Sequence, residues 1–198
     1  MFNISTKYSQ NSDFKAILVN KGSNLLSLRS LIDLKSANDL KNKASKNKRG
    51  FTFISQINNS KFKNFYFFNI NDKMIDHEYQ DLGGLIVSEA LSLKKNKIEI
   101  LFDTLPKQIK NNKSIIQNIL IGVLSKNYSF SNYKQKDQPK KIVNINLVYA
   151  NKSFVKQALK YAESINLGVT ETRNLVTTPP NILNPVNFVN QVKKLKKF

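Results

Sequence analysis

The chain has 198 residues, 40% of them hydrophobic, and carries 32 Lys+Arg against 13 Asp+Glu for a net charge of +19. This length and apolar content suit one globular domain with a real core plus an appendage, and exclude a disordered or fibrous chain. Cysteine is absent, which removes disulfides and thiolate metal sites.

The longest apolar run, around Phe65–Phe68, is far too short to cross a bilayer. The N-terminal "MFNISTKYSQNSD" lacks the apolar core of a signal peptide. The expected location is therefore the cytoplasm, with no membrane partner. The charge surplus makes nucleic acid a candidate partner. Almost all of it is lysine, however, with Arg29, Arg49 and Arg173 the only arginines. Lysine and asparagine enriched together ("NKASKNKRG", "KQIKNNKSIIQN") are what AT-rich codon usage produces, and arginine is the residue suited to bidentate phosphate and base contacts. Nucleic-acid binding is expected to be weak, sequence-indifferent and salt-sensitive.

In chain order, residues 2–8 alternate like a half-exposed strand, and 14–19 ("FKAILV") read as a buried one. A helical pattern covers 24–45, with Leu28, Leu31, Ile32 and Leu40 on one face. Two β-rich runs, 51–57 and 62–70, flank a turn-like "NNSK". Asp76 is placed to cap a helix carrying Leu82, Leu85, Ile86, Ala90 and Leu93. A short strand follows at 98–102. Ser114 is placed to cap a helix bearing Ile115, Ile116, Ile119, Leu120 and Val123. Residues 141–150 alternate, with Val143, Ile145, Leu147 and Tyr149 on one face. A long helix begins near Ser153 and uses Phe154, Ala158, Ala162, Ile165, Val169 and Leu175. Strands interleaved with helices throughout predict an α/β fold, a largely parallel or mixed sheet with helices on both faces.

Local clusters offer little chemistry. Asp72, Asp76, His77, Glu78 and Asp81 form the one dense acidic patch and hold the single histidine, but lack metal-ligand spacing and read as first-turn acids complementing a helix dipole. Gly83-Gly84 falls inside a helix, too late for a phosphate loop, and predicts close approach of that helix to the sheet. "YSFSNYK" (128–134) fits either a base-stacking platform or an aromatic anchor for a loop. One histidine and no Gly-x-Ser-x-Gly leave no nucleophile with a general base.

The informative passage is "RNLVTTPPNILNPVNF". Pro179 and Pro180 stop the long helix, and Asn184-Pro185 start another by cap and first-turn preference. Phe188, Val192 and Leu195 follow at helical spacing. Such a helix–elbow–helix fixes the angle between two bodies.

This segment resembles the interdomain connector of the leucyl (cytosol) aminopeptidases through Arg173, Asn174, Leu175, Val176, Pro179, Pro180, Asn181, Leu183 and Pro185. Tyr128, Phe130, Tyr133 and Lys134 resemble that family's Tyr-x-Phe-x-x-Tyr-Lys segment. Thr177-Thr178 departs from its usual pattern. The resemblance implies an N-terminal domain of macro-domain-like fold at 1–150, a linker helix and Pro-Pro elbow at 151–180, and the start of a catalytic domain at 181–198. It also implies a structural, anchoring role for Tyr128, Phe130 and Tyr133.

Members of that family remove N-terminal residues from peptides with two divalent metals (zinc or manganese), in hexamers. Their Asp-Ser-Gly-Gly and Asn-Thr-Asp-Ala-Glu-Gly-Arg motifs are absent here, so no catalytic or metal residue and no cofactor is expected in this chain. The resemblance thus implies an accessory domain whose partner is the family's catalytic domain. Two alternatives stay open, a basic nucleic-acid-binding domain and a macro-domain-like nucleotide binder.

Overall fold

The computed structural model describes residues 2–9, 12, 14–29, 32–47, 51–58, 61–71, 73–130 and 144–195. Six strands, β1 (Phe2–Ser5), β2 (Phe14–Val19), β3 (Phe51–Asn58), β4 (Lys61–Asn69), β5 (Lys97–Leu101) and β6 (Asn144–Val148), form one sheet in the order β1-β6-β5-β2-β4-β3. All neighbours pair parallel except β3, which closes one edge antiparallel to β4. The helices are α1 (Leu34–Lys46), α2 (Asp76–Ser92), α3 (Lys107–Lys110), α4 (Lys113–Lys126), α5 (Lys152–Thr177) and α6 (Pro185–Leu195). The expected α/β sheet flanked by helices is present.

A parallel sheet covered on both faces needs strands apolar on both sides, and β2 is buried at every position. Its Phe14, Ala16 and Leu18 face α2, α4 and α5 in the larger core, while Ile17 and Val19 face α1 in the smaller one. Phe14 stacks on Tyr66 of β4 with ring centroids 4.1 Å apart. Along β6, Ile145 and Leu147 join the larger core with Tyr149, as the alternation predicts, and Val143 lies outside the described residues.

Several helix starts differ from expectation. The pattern over 24–45 divides: a 3-10 turn at Leu26–Leu28 precedes α1, and Asp33 caps α1 by accepting from Ser36 N–H at 3.0 Å. That bond holds the Asp33 carboxyl below its ordinary value. Leu28 and Ile32 are buried from this irregular lead-in, so their helical spacing is shared by a turn. Asp76 is the first helical residue rather than the cap; Glu78 reaches back to accept from Ile75 N–H at 2.8 Å. Asn112, not Ser114, caps α4, accepting from Ser114 N–H at 3.1 Å. The short α3 was not anticipated.

Gly83 does allow close approach, but to a helix rather than the sheet. A Cβ on Gly83 would collide with the carbonyl of Ile119, and one on Gly122 with the carbonyl of Gln80, so α2 and α4 cross backbone to backbone. Gln80 Nε2 donates across the same crossing to Asn118 Oδ1 at 2.8 Å. Gly84 is different: its Cβ would meet Lys126 Cβ at an ordinary 3.9 Å.

A second feature was invisible in the linear sequence. Lys15 and Glu99 are register partners on β2 and β5. Both are fully buried and form an ion pair at 2.8 Å. Lys15 Nζ also donates to Ser9 O at 2.8 Å and Ser12 O at 3.3 Å. Glu99 Oε1 accepts from Ser9 N–H and from Asn146 Nδ2, both at 2.6 Å. The pair thus ties the segment after β1 across the sheet. A charge alone inside an apolar strand looks like an exception; only strand pairing reveals its partner.

Two outcomes follow. Gly122→Ala should destabilise the domain by about 1–3 kcal/mol through overpacking. Gly84→Ala should be neutral or stabilise by up to about 1 kcal/mol through helix propensity. Equal urea midpoints for wild type and Gly122→Ala would contradict the tight crossing. For the ion pair, Glu99→Gln leaves a buried ammonium and should cost roughly 3–5 kcal/mol, whereas Lys15→Met combined with Glu99→Leu should recover much of that loss. A double variant no more stable than Glu99→Gln would contradict this reading.

Candidate functional site

Two segments distant in sequence, the aromatic stretch after α4 and the connector motif on α5, meet in space. The first part of α5 buries Val155, Ala158, Leu159 and Ala162 against the domain. Beyond Ala162 the helix runs on with no fully buried side chain: Val169 and Leu175 are half-buried and Ile165 is exposed. What holds this second part is a clamp. Arg173 Nη1 donates to Ser125 O at 2.8 Å, and its guanidinium lies 5.4 Å from the Tyr128 ring centroid. The Tyr128 hydroxyl donates to Asn174 Oδ1 at 2.8 Å.

The chemistry of the clamp is that of a helix end. Ser125 stands in the last turn of α4, where carbonyls lack intrahelical partners and the dipole is negative, so a guanidinium is favoured there. The aromatic ring adds a cation–π contact. Phe130 is half-buried nearby in sequence, and Tyr133 and Lys134 lie outside the described residues.

The elbow is equally ordered. Thr177 Oγ1 donates to Arg173 O and Thr178 Oγ1 to Asn174 O, both at 2.6 Å, hydroxyls bonded back one turn; Asn174 O also accepts from Thr178 N–H at 3.0 Å. Pro179 O accepts from Ile182 N–H at 3.0 Å and Leu183 N–H at 2.9 Å. Asn184 Oδ1 caps α6 by accepting from Asn187 N–H at 2.9 Å, with Pro185 in the first helical position. Asn187 Nδ2 returns to Ile182 O at 2.8 Å. Of the motif residues, Arg173 and Asn174 make the clamp, Leu175 and Leu183 are half-buried, Pro179 and Pro180 make the turn, and Asn181 is exposed.

The connector also presents a run of apolar surface. Val176 is 81% exposed, Val186 69%, Val189 48% and Phe188 44%, and Ile182 and Val192 are exposed beside them.

The acidic residues at α2 do not form a site. Glu78 is occupied at the helix start, Asp76 and His77 are exposed, and Asp72 lies outside the described residues. Asp81 lines a groove of about 490 Å³ with Gln80, Ser88, Lys126 and Arg173. Among the described residues no group of three or more His, Asp or Glu is placed to hold a metal ion. Among the same residues no helix is long and apolar enough to cross a membrane.

No family model matches the chain. Curated relatives do. It is 34% identical over 128 residues to a probable cytosol aminopeptidase of Phytoplasma mali, covering 62% of this chain and 25% of that protein. To the probable cytosol aminopeptidase of Rhizobium johnstonii it is 31% identical over 127 residues, covering 62% and 25%. To that of Agrobacterium fabrum it is 30% identical over 132 residues, covering 64% and 26%. The chain thus spans about a quarter of the length of the curated relatives it matches. In fold it is similar to a variant of tomato leucine aminopeptidase, with a TM-score of 0.66 over 99% of this chain and 42% of that one, at 17% identity. Over the matched residues, about a quarter of those proteins' length, the chain is a homologue of the probable cytosol aminopeptidases, and it shares its fold with part of tomato leucine aminopeptidase.

Proposed function

We propose that this chain serves as the N-terminal accessory domain of a leucyl-aminopeptidase-like metallopeptidase, presenting a catalytic domain through α5, the elbow and α6. The observation that carries the proposal is the clamped connector with its uncovered apolar side. An isolated helix as short as α6 is marginal in water and gains stability by burying an apolar face. Burial is worth roughly 25 cal/mol per Å² of apolar area, and Val176, Val186, Phe188 and Val189 supply such area at the far end of a stiff arm. Residues 1–150 form the accessory domain, 151–180 the linker helix and elbow, and 181–198 the first part of the catalytic unit.

The two divalent metals and the peptide chemistry belong, in this reading, to the catalytic domain and not to the accessory domain, as does hexameric assembly. The chain acts in the cytoplasm. Its lysines give at most weak, salt-sensitive contact with nucleic acid.

The chain alone should not release leucine from a chromogenic leucine amide, with or without added manganese or zinc; metal-dependent release co-purifying with it would overturn the assignment. Mixed with the remaining C-terminal part of the Phytoplasma mali relative, it should co-elute in gel filtration. Val186→Asp combined with Val189→Asp should weaken that association at least about tenfold, equivalent to 1.4 kcal/mol. Unchanged association in the double variant would remove α6 from the interface.

The clamp has its own readout. Arg173→Ala should speed amide exchange over residues 165–177 by roughly tenfold, the effect of one lost charged hydrogen bond and cation–π contact. The thermal midpoint of the domain should barely move. Unchanged exchange would show that Arg173 does not hold the arm.

A further inference from the structure

The glycines at the crossing of α2 and α4 are not equivalent. A Cβ on Gly83 or Gly122 would collide with a carbonyl of the facing helix. Gly84 has no such neighbour: a Cβ there would lie 3.9 Å from Lys126 Cβ and 4.0 Å from Gly122 O, ordinary van der Waals contact. Glycine is the poorest helix former after proline, yet this one sits in the middle of α2. No contact inside the chain requires it. What its missing side chain leaves is room, in the floor of a groove of about 490 Å³ between α2 and α4.

The walls of that groove carry polar groups with bonds to spare. Asp81 and Ser88 on α2, and Lys126 in the last turn of α4, make no side-chain hydrogen bond or ion pair among the described residues. Arg173 of α5 completes the wall. Its Nη1 donates to Ser125 O, and among the described residues its guanidinium makes no other hydrogen bond. A guanidinium has five N–H donors, so the clamp leaves most of the fork free.

The chemistry of the groove selects its occupant. A guanidinium fork beside an ammonium group matches a carboxylate. Asp81 would repel a phosphate chain, whereas a polypeptide segment offers it main-chain N–H donors. A second copy of this chain is disfavoured by like charge, since each carries +19. The groove also adjoins the connector. Arg173 stands one turn before α5 ends at Thr177, so a body carried beyond the elbow is held beside the groove at high effective concentration.

We propose that this groove is a second docking surface for the catalytic domain, taking an acidic segment with its carboxylate on Arg173 and Lys126 and its main chain over Gly84. The inference rests on the accessory-domain reading and adds a contact that α6 does not supply.

The test pairs the full chain with the remaining C-terminal part of the Phytoplasma mali relative and measures both affinity and urea midpoint. Gly84→Leu fills the floor, and its midpoint should equal or exceed that of the wild type. Its association should nevertheless weaken at least about tenfold. Lys126→Glu should weaken association at least about threefold at low salt, with the loss shrinking as salt rises. A lowered midpoint in Gly84→Leu would show that the fold itself needs the space, and would overturn the proposal. Weakening by Lys126→Glu alone would reveal diffuse attraction and overturn it too. If Val186→Asp with Val189→Asp weakens association while both groove variants leave it unchanged, the groove fails and the accessory-domain reading stands. No association of the wild-type chain would remove that reading and the groove with it. Self-association or oligonucleotide binding that Gly84→Leu abolishes would give the groove to a second copy or to nucleic acid, against the proposal.

Discussion

The backbone contact between α2 and α4 governs much of what lies above it. Because Gly83 and Gly122 carry no Cβ, the two helices approach until each glycine faces a carbonyl of the other. Interiors are close-packed, so a displacement of even one methyl group is transmitted to neighbours. The height of α4 over the sheet then sets where its C-terminal turn lies. That turn carries Ser125, and Tyr128 follows it at once; these are the two groups that receive Arg173 and Asn174. The direction of the distal part of α5, and the position of the elbow beyond it, follow from a crossing whose closest approach is backbone to backbone.

The sheet beneath is held by a different kind of constraint. Its faces are apolar wherever helices cover them, and the buried Lys15–Glu99 pair sits where the segment after β1 crosses instead. A one-residue slip of β2 against β5 would separate the charges and bury each alone, a penalty of several kcal/mol. The pair therefore contributes to register more than to net stability. The same pairing of β2 with β5 places the loops that diverge at their carboxyl ends, one toward α1 and the other toward α3 and α4.

The connector and the loops at the carboxyl ends of the strands are held in different ways. The connector needs stiffness, and two prolines, threonine hydroxyls bonded back one turn and an asparagine cap supply it between α5 and α6. The loops beyond the carboxyl ends of β2 and β5 are held instead by Asx-type bonds at Asn20 and Asn24 and by the Thr104 tether.

What the linear sequence determined were the matters decided within a few residues. Alternation and apolar runs marked β2 and β6, Pro179-Pro180 ended α5, and Asn184-Pro185 began α6, because torsional limits and local capping act at short range. The family resemblance was likewise legible in contiguous motifs. Tertiary structure decided the rest. Which polar residue serves the starts of α2 and α4 depended on where the chain entered each helix, so Glu78 and Asn112 took the places expected of Asp76 and Ser114. The glycine pair was read as helix-on-sheet because its partner, Gly122, lies some forty residues away. Lys15 and Glu99, and the meeting of Tyr128 with Asn174, depend on strand order and helix packing, which bring together residues that carry no mutual signal along the chain.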